Sequence, residues 1–306
     1  MSKKLISIII PTYNYAHYLQ RAVDSVMQQL PANGELIVVD DGSIDNTQTL
    51  LVELQAIYPD NFHHFKQSNR GAARARNFGA EQATGEYLLF LDADDVLTAD
   101  ALSIYTACIH AYPHKDYFIA RHQTIFPDGH KKNSRKNNLS HEYDKNFVDY
   151  LLKKKIQLAN GAILIKSAIF DQVKYSEALS PGEDIPTNAK LMALFDGYAI
   201  DKCLLLVHRH TDSLRHDIDS YVQVASQIGH FIFDDTLPHN LHIYRLKYET
   251  YKLLSLFRSL YIAQKYVKAR KTFLQALQND YKILFQLSYV RKFVKSFLWS
   301  LKAQSQ

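Results

Sequence analysis

The chain has 306 residues, 47% of them apolar and 22% charged, a net charge of +5, and two cysteines, Cys108 and Cys203. This is the composition of a globular chain, long enough for two modest domains or one large one, and not of a disordered or fibrous one. The cysteines stand far apart in apolar surroundings, which excludes a disulfide framework and a cysteine-based metal site and suits a reducing compartment.

After Lys3 and Lys4, residues 5–10 form an apolar run that ends at Pro11. It is too short for a signal peptide, and no stretch has the length of a membrane span, so a cytoplasmic protein is expected. Residues 5–10 read as a first strand, and residues 16–29 as a helix with Leu19, Ala22, Val23, Val26 and Met27 on one face. Residues 35–39 read as a second strand closed by Asp40, Asp41 and Gly42, followed by a helix over 45–58. A short strand at 62–65, a small-residue helix at 71–83 and a fourth strand at 86–91 complete the series. Strand–helix alternation at this spacing predicts an α/β domain with right-handed crossovers and a mostly parallel sheet. A helix is expected from Thr98, a mobile polar loop over 127–141, and further strands at 156–165 and 203–207.

The fourth strand stops abruptly on Asp92, Asp94 and Asp95. Ligands of open α/β sheets sit beyond the carboxyl ends of such strands, and crowded carboxylates there call for a cation. A hard oxygen site with few protein ligands suits Mg2+ or Mn2+ carrying a phosphate-bearing substrate. An aspartate here also serves as a helix N-cap, which needs no ligand.

Four segments follow one another: Pro11-Thr12-Tyr13-Asn14, Asp40-Asp41-Gly42-Ser43, the stretch 69–79 containing Arg76-Asn77, and Asp92-Ala93-Asp94-Asp95. Together they resemble family 2 inverting nucleotide-sugar glycosyltransferases of the bacterial surface-polysaccharide type, over about residues 5–215. The resemblance implies a GT-A (Rossmann-like) fold, a divalent metal cofactor (Mn2+ or Mg2+) and a nucleotide-sugar donor, with a UDP-sugar favoured. It gives Pro11, Thr12 and Tyr13 to the loop around base and ribose, and Asp41 to a hydrogen bond from the base. Arg76 falls at an Arg-Asn position near the nucleotide, although an ion pair within the domain would equally explain it. Asp92 and Ala93 belong to the nucleotide side of an Asp-X-Asp motif whose Asp94 holds the metal.

Glu183-Asp184 stands ninety residues beyond that motif, as Asp184 follows Asp94 at that distance. In the family such a pair supplies the catalytic base, Asp184 here, with Glu183 positioning base or acceptor. Acidic residues also favour first helical turns for reasons of charge alone. Ile185 and Pro186 follow where relatives often carry bulky aromatics, which leaves the acceptor pocket undefined. The segment 208–214 resembles the end of the family's catalytic domain, with His210 either a metal ligand or structural. No Gln-X-X-Arg-Trp segment of the processive synthases is present, so addition of a single sugar is expected, to a hydroxyl of a glycan or lipid-linked acceptor. A sugar-nucleotide pyrophosphorylase would need a Gly-rich phosphate loop after the first strand, which Pro11-Thr12-Tyr13-Asn14 does not supply. A non-catalytic basic module binding lipid or nucleic acid is the other alternative, and intact Asp92, Asp94 and Asp184 argue against it.

Beyond residue 214 the character changes. Residues 1–214 are expected to form the catalytic domain and 215–306 an all-helical, basic extension of two to four helices, the last over 281–302. From Leu241 on there are 13 Lys and Arg against Glu249 and Asp280, a local excess of +11. Residues 289–301 carry Val290, Phe293, Val294, Phe297, Leu298 and Leu301 at helical spacing among Arg291, Lys292 and Lys295, with Trp299 nearby. Such a helix suits peripheral contact with the inner face of an anionic membrane, or packing on its neighbours, or a homodimer. Nucleic acid is not expected as a partner.

Overall fold

The computed structural model describes residues 4–210 and 227–302, with side chains described to 297. The predicted boundary at 214/215, the segment 211–214, and Leu298, Trp299 and Leu301 lie outside the residues so described. The chain divides into two compact units, Met1–Ser213 and Leu214–Gln306.

The first unit is an α/β domain on a nine-stranded sheet. β1 (Ile6–Thr12) and β2 (Gly34–Asp40) are buried along their whole length, as expected for apolar runs covered on both faces. They flank each other in parallel, with β3 (Phe62–Lys66) beyond β2 and β4 (Tyr87–Phe90) on the other side of β1. The helices α1 (Ala16–Met27), α2 (Thr47–Ile57) and α3 (Ala72–Gln82) supply the crossovers. The order 3-2-1-4 reverses direction at β1, so a crevice opens where β1 and β4 end side by side. Gly79 lets α3 approach closely: a Cβ there would lie 2.4 Å from Ile9 Cγ2 of β1.

The remainder of the sheet is mixed. β8 (Ile163–Lys166) joins β4 to β6 (Tyr117–Ile125), antiparallel to both. β9 (Gly197–His208) runs parallel to β6, and β5 (Val96–Leu97) closes the far edge. Between these strands lie α4 (Ala101–Ala111), α5 (Tyr143–Leu151), α6 (Ser167–Phe170) and α7 (Asp184–Leu194).

Three expectations need correction here. The polar stretch 127–141 is not merely a loop: β7 (Lys131–Asn133) pairs with β6. Asn137 then pins the chain beyond β7, donating to the Gln157 carbonyl at 2.9 Å and accepting from its N–H at 2.8 Å. The strand expected over 156–165 shrinks to β8, because Gly161 turns with φ +79° and only residues from Ile163 onward find strand partners. β9 is far longer than residues 203–207, since register shifts around Arg121 let polar residues continue the pairing.

The second unit is helical among its described residues. Its main elements are α8 (Ile228–Ile232), α9 (Arg245–Ile262), α10 (Tyr266–Asn279) and α11 (Leu287–Lys302). Leu254, Phe257, Leu260, Ala269, Phe273 and Ala276 form its core, with Val290 and Phe293 packed on it. Phe273 and Phe293 stack at 4.5 Å between ring centres. The last predicted helix is broken: a 3-10 turn, Tyr281–Phe285, precedes α11. No helix among the described residues is long and apolar enough to cross a membrane.

Candidate active site

The site lies at the carboxyl ends of β1, β2 and β4. Thr12 faces Asp40 across the β1–β2 register, and the Asp41 N–H donates to the Thr12 carbonyl at 2.8 Å. Thr12 is buried, and its Oγ1 has no hydrogen-bond partner among the described residues, while Tyr13 is 43% exposed. Pro11, buried beside Thr12 in β1, has no backbone N–H and so needs no acceptor there.

Asp41 is buried and organises the neighbouring loop. Its Oδ1 accepts from Gln67 Nε2 at 2.7 Å and from the Arg70 N–H at 2.9 Å, and its Oδ2 from the Gly71 N–H at 2.7 Å. Gly42 makes this approach feasible with φ +82°, since a Cβ there would meet the Asn69 nitrogen at 2.9 Å. Asp40 serves the fold instead. Its carboxylate accepts from the Ser43 N–H at 2.8 Å and from Gln48, fixing the start of α2.

Arg76, on the small-residue helix α3, is buried between two carboxylates. One Nη donates to Asp92 Oδ1 and the other to Glu183 Oε1, both at 2.7 Å. Its guanidinium lies 5.1 Å from the ring centre of Tyr175, and its Nε has no partner among the described residues. Burial alone would lower its pKa, but Asp92 and Glu183 overcome that and raise it, so the cation is permanent. Asn77 next door ties α3 to the chain at Tyr175, donating to its carbonyl at 2.9 Å and accepting from its N–H at 3.1 Å.

Asp184 opens α7 beside Glu183. Burial and then the Glu183 charge push its carboxyl above the usual range, and Arg76 opposes them. Four groups thus share one electrostatic cluster, three carboxylates around one guanidinium. A carboxylate of raised basicity near a cation that fixes its neighbour is suited to accepting a proton.

Asp94 forms a second centre. Its Oδ2 lies 2.6 Å from His210 Nε2, and its backbone carbonyl accepts from Arg21 Nη2 at 2.7 Å. His210 stacks on Tyr18 at 4.8 Å and meets Tyr15 edge-on at 5.7 Å. A cavity of about 340 Å³ opens beside the pair, lined in part by Tyr18, Arg21, Phe126, His208 and His210. No cluster of three or more His, Cys, Asp or Glu side chains able to hold a metal is found among the described residues. One carboxylate and one imidazole facing each other nevertheless suit an ion that takes its other ligands from phosphate and water.

The structure therefore separates the expected residues into three groups. Thr12 and Asp41 mark the β1–β2 edge; Asp92, Arg76, Glu183 and Asp184 form the charged cluster; Asp94 meets His210. The expected crowding of three aspartates does not occur. Asp95 is buried and turned away, accepting from the His208 N–H at 3.0 Å, while Asp92 and Asp94 each have a partner of their own. Sequence reasoning missed Arg21, Tyr15, Tyr18 and Tyr175. Tyr18 and Arg21 stand three apart on α1, one helical face, which was the available signal; Tyr175, on an irregular loop, left none.

Comparison with known proteins shows the family and the fold. The family model described as "Glycosyl transferase family 2" matches residues 7–171. An uncharacterized glycosyltransferase of Nostoc is 48% identical over 91 residues, covering 30% of this chain and 28% of the relative. TuaG of Bacillus subtilis, a glycosyltransferase assigned to teichuronic acid biosynthesis, is 40% identical over 100 residues, covering 33% of this chain and 40% of its own length. The matches thus span well under half of these relatives. Among solved structures, residues 1–349 of TarS from S. aureus align over 99% of this chain and 92% of that one, with a TM-score of 0.65 and 20% identity. That protein has also been solved with UDP and with UDP-GlcNAc. The mannosyltransferase PcManGT of Pyrobaculum calidifontis, solved with GDP-Man and Mn2+, aligns over 98% of this chain and 88% of its own with a TM-score of 0.57 and 17% identity. These two likenesses establish the GT-A fold.

Proposed function

The chain belongs to glycosyl transferase family 2, and from that premise we propose that it transfers a single sugar from a nucleoside diphosphate sugar to a hydroxyl of a glycan or lipid-linked acceptor, inverting the anomeric centre. The observation that carries this reading is the Arg76 cluster, which joins Asp92 on the donor side to Glu183 and Asp184 on the acceptor side.

In this reading Pro11, Thr12 and Tyr13 border the base and ribose, and Asp41 Oδ2 accepts a base N–H, which suits uracil. The complexes of TarS with UDP and UDP-GlcNAc support a UDP-linked hexose or N-acetylhexosamine as donor. Asp94 and His210 would hold Mn2+ or Mg2+, which supplies neutralisation of the departing diphosphate; the Mn2+ in PcManGT supports metal use within the fold. Arg21, which lines the cavity beside His210, adds positive charge on the same side. Asp184 takes the proton of the acceptor hydroxyl as that oxygen attacks, from the face of the sugar opposite the diphosphate. Glu183, fixed by Arg76, positions that base. Likeness to TuaG, named for teichuronic acid biosynthesis, supports a place in surface polysaccharide synthesis.

The test is a panel of nucleotide sugars with Mn2+ or Mg2+, reading release of the nucleoside diphosphate. One UDP-sugar is expected to be turned over, and Asp94→Ala to abolish that turnover. Indifference of the turnover to Asp94→Ala would remove the metal assignment.

A further inference from the structure

The helical unit contains a short turn whose side chains point the wrong way for a protein interior. Asp280 accepts from the Lys282 N–H at 2.9 Å, and the Gln286 N–H donates to the Ile283 carbonyl at 2.9 Å, so the 3-10 turn Tyr281–Phe285 is internally braced. Ile283 is its anchor, 1% exposed and part of the helical core. Around that anchor the other large apolar residues face outward. Tyr281 is 67% exposed, Leu284 49%, Phe285 79%, and Leu287 at the start of α11 63%. Ordinary surfaces carry such residues singly; four within seven positions make a patch that needs an occupant.

The charges around the patch name that occupant. Lys282 in the turn is exposed, as are Arg291 and Lys295, four and eight residues beyond Leu287 on the same face of α11, and beyond Asp280 the chain has no acidic residue. Asp280 itself is engaged in capping the turn. A second copy of this chain, docked symmetrically, would set this basic collar against itself, which disfavours a dimer through this patch. An anionic bilayer meets both features: its acyl boundary takes the apolar tip, and its headgroups take the lysines and arginines. The helix that the sequence singled out for this role is partly committed elsewhere. Val290 and Phe293 of α11 pack on the core, and Arg270 lies 4.5 Å from the Phe297 ring centre.

We infer that the turn 281–287 inserts into the headgroup–acyl boundary of an anionic lipid surface, with Lys282, Arg291 and Lys295 as its electrostatic collar. This concerns binding by the helical unit and stands apart from the catalytic reading, because its test measures no transfer. The full chain is floated with vesicles of phosphatidylcholine alone or mixed with phosphatidylglycerol. It should rise with the mixed vesicles only, and less at high salt. Leu284→Ser/Phe285→Ser should lower the partition coefficient about tenfold or more with unchanged circular dichroism, since Ile283 stays in place. Val52→Ser/Ile57→Ser removes comparably exposed residues, 62% and 61%, from the other unit and should change nothing. Wild-type flotation by the Leu284/Phe285 variant, equal flotation with neutral vesicles, or no flotation at all would overturn the inference. So would a dimer in sedimentation equilibrium that the same variant dissolves.

Discussion

Replacing Arg76 by glutamine removes the guanidinium that bridges Asp92 and Glu183 while keeping a side chain of similar reach. Both ion pairs measure 2.7 Å, but their surroundings differ: the Asp92 side chain is 35% exposed and that of Glu183 15%. Breaking a buried pair costs about 3–5 kcal/mol; Asp92 regains water and Glu183 does not, so about 3 kcal/mol of unfolding free energy is expected to go. Urea unfolding of the first-unit signal measures it. The kinetic effect has its own sign. Burial and Glu183 already hold the Asp184 carboxyl above its ordinary range, and Arg76 is the group pulling it down. Without the guanidinium the acid limb of kcat/KM should move to higher pH, and activity at neutral pH should fall about 10²-fold as base catalysis weakens. Arg76→Lys keeps a charge but not the two-pronged fork, so the limb should stay near its place while kcat drops. An Arg76→Gln enzyme whose acid limb coincides with that of the wild type would refute the link between guanidinium and base.

Two further changes probe the same frame. Asp184→Asn should keep UDP binding in calorimetry and lose transfer. Because folding raises the Asp184 pKa, the aspartate favours folding only while protonated, and that benefit is lost as pH rises through the folded pKa. The asparagine variant should therefore show a higher urea midpoint than the wild type at a pH above the raised folded pKa, with the gain fading as pH falls from that pKa toward the ordinary carboxylate value and gone below it; an equal gain at all pH values would contradict the assignment. Gly79→Ala puts a Cβ 2.4 Å from Ile9 Cγ2 and must push α3 off β1, costing about 1–3 kcal/mol in urea unfolding and misplacing Arg76.

How much of this was legible beforehand depends on which forces set each part. The first four strands and three helices were readable because each apolar run had a simple period and ended on turn residues, as β1 and β2 do at Thr12 and Asp40. The mixed half of the sheet was not. β6 is buried in its first four residues and only partly so beyond Ala120, and β9 shifts register against it, so neither shows one clean period. Asp184 and Asp94 became candidates through the spacing of the family resemblance. The partnerships were not: Arg76 with Asp92 and Glu183 spans 16 and 107 residues, and no local rule reports contacts at such separations. Asp95 misled for the opposite reason. Charge density along the sequence suggested crowding, but the backbone turn after Asp92 aims that carboxylate at the His208 N–H instead. In the helical unit the apolar period of α11 was real, yet Val290 and Phe293 spend it on Phe273 and its neighbours.

Titration calorimetry of the full chain with UDP, in Mn2+ and again in EDTA, tests the sheet-edge account most directly. A heat of UDP binding that appears with Mn2+, vanishes in EDTA and is absent from Asp94→Ala is the predicted result. Equal UDP binding in all three conditions would contradict it.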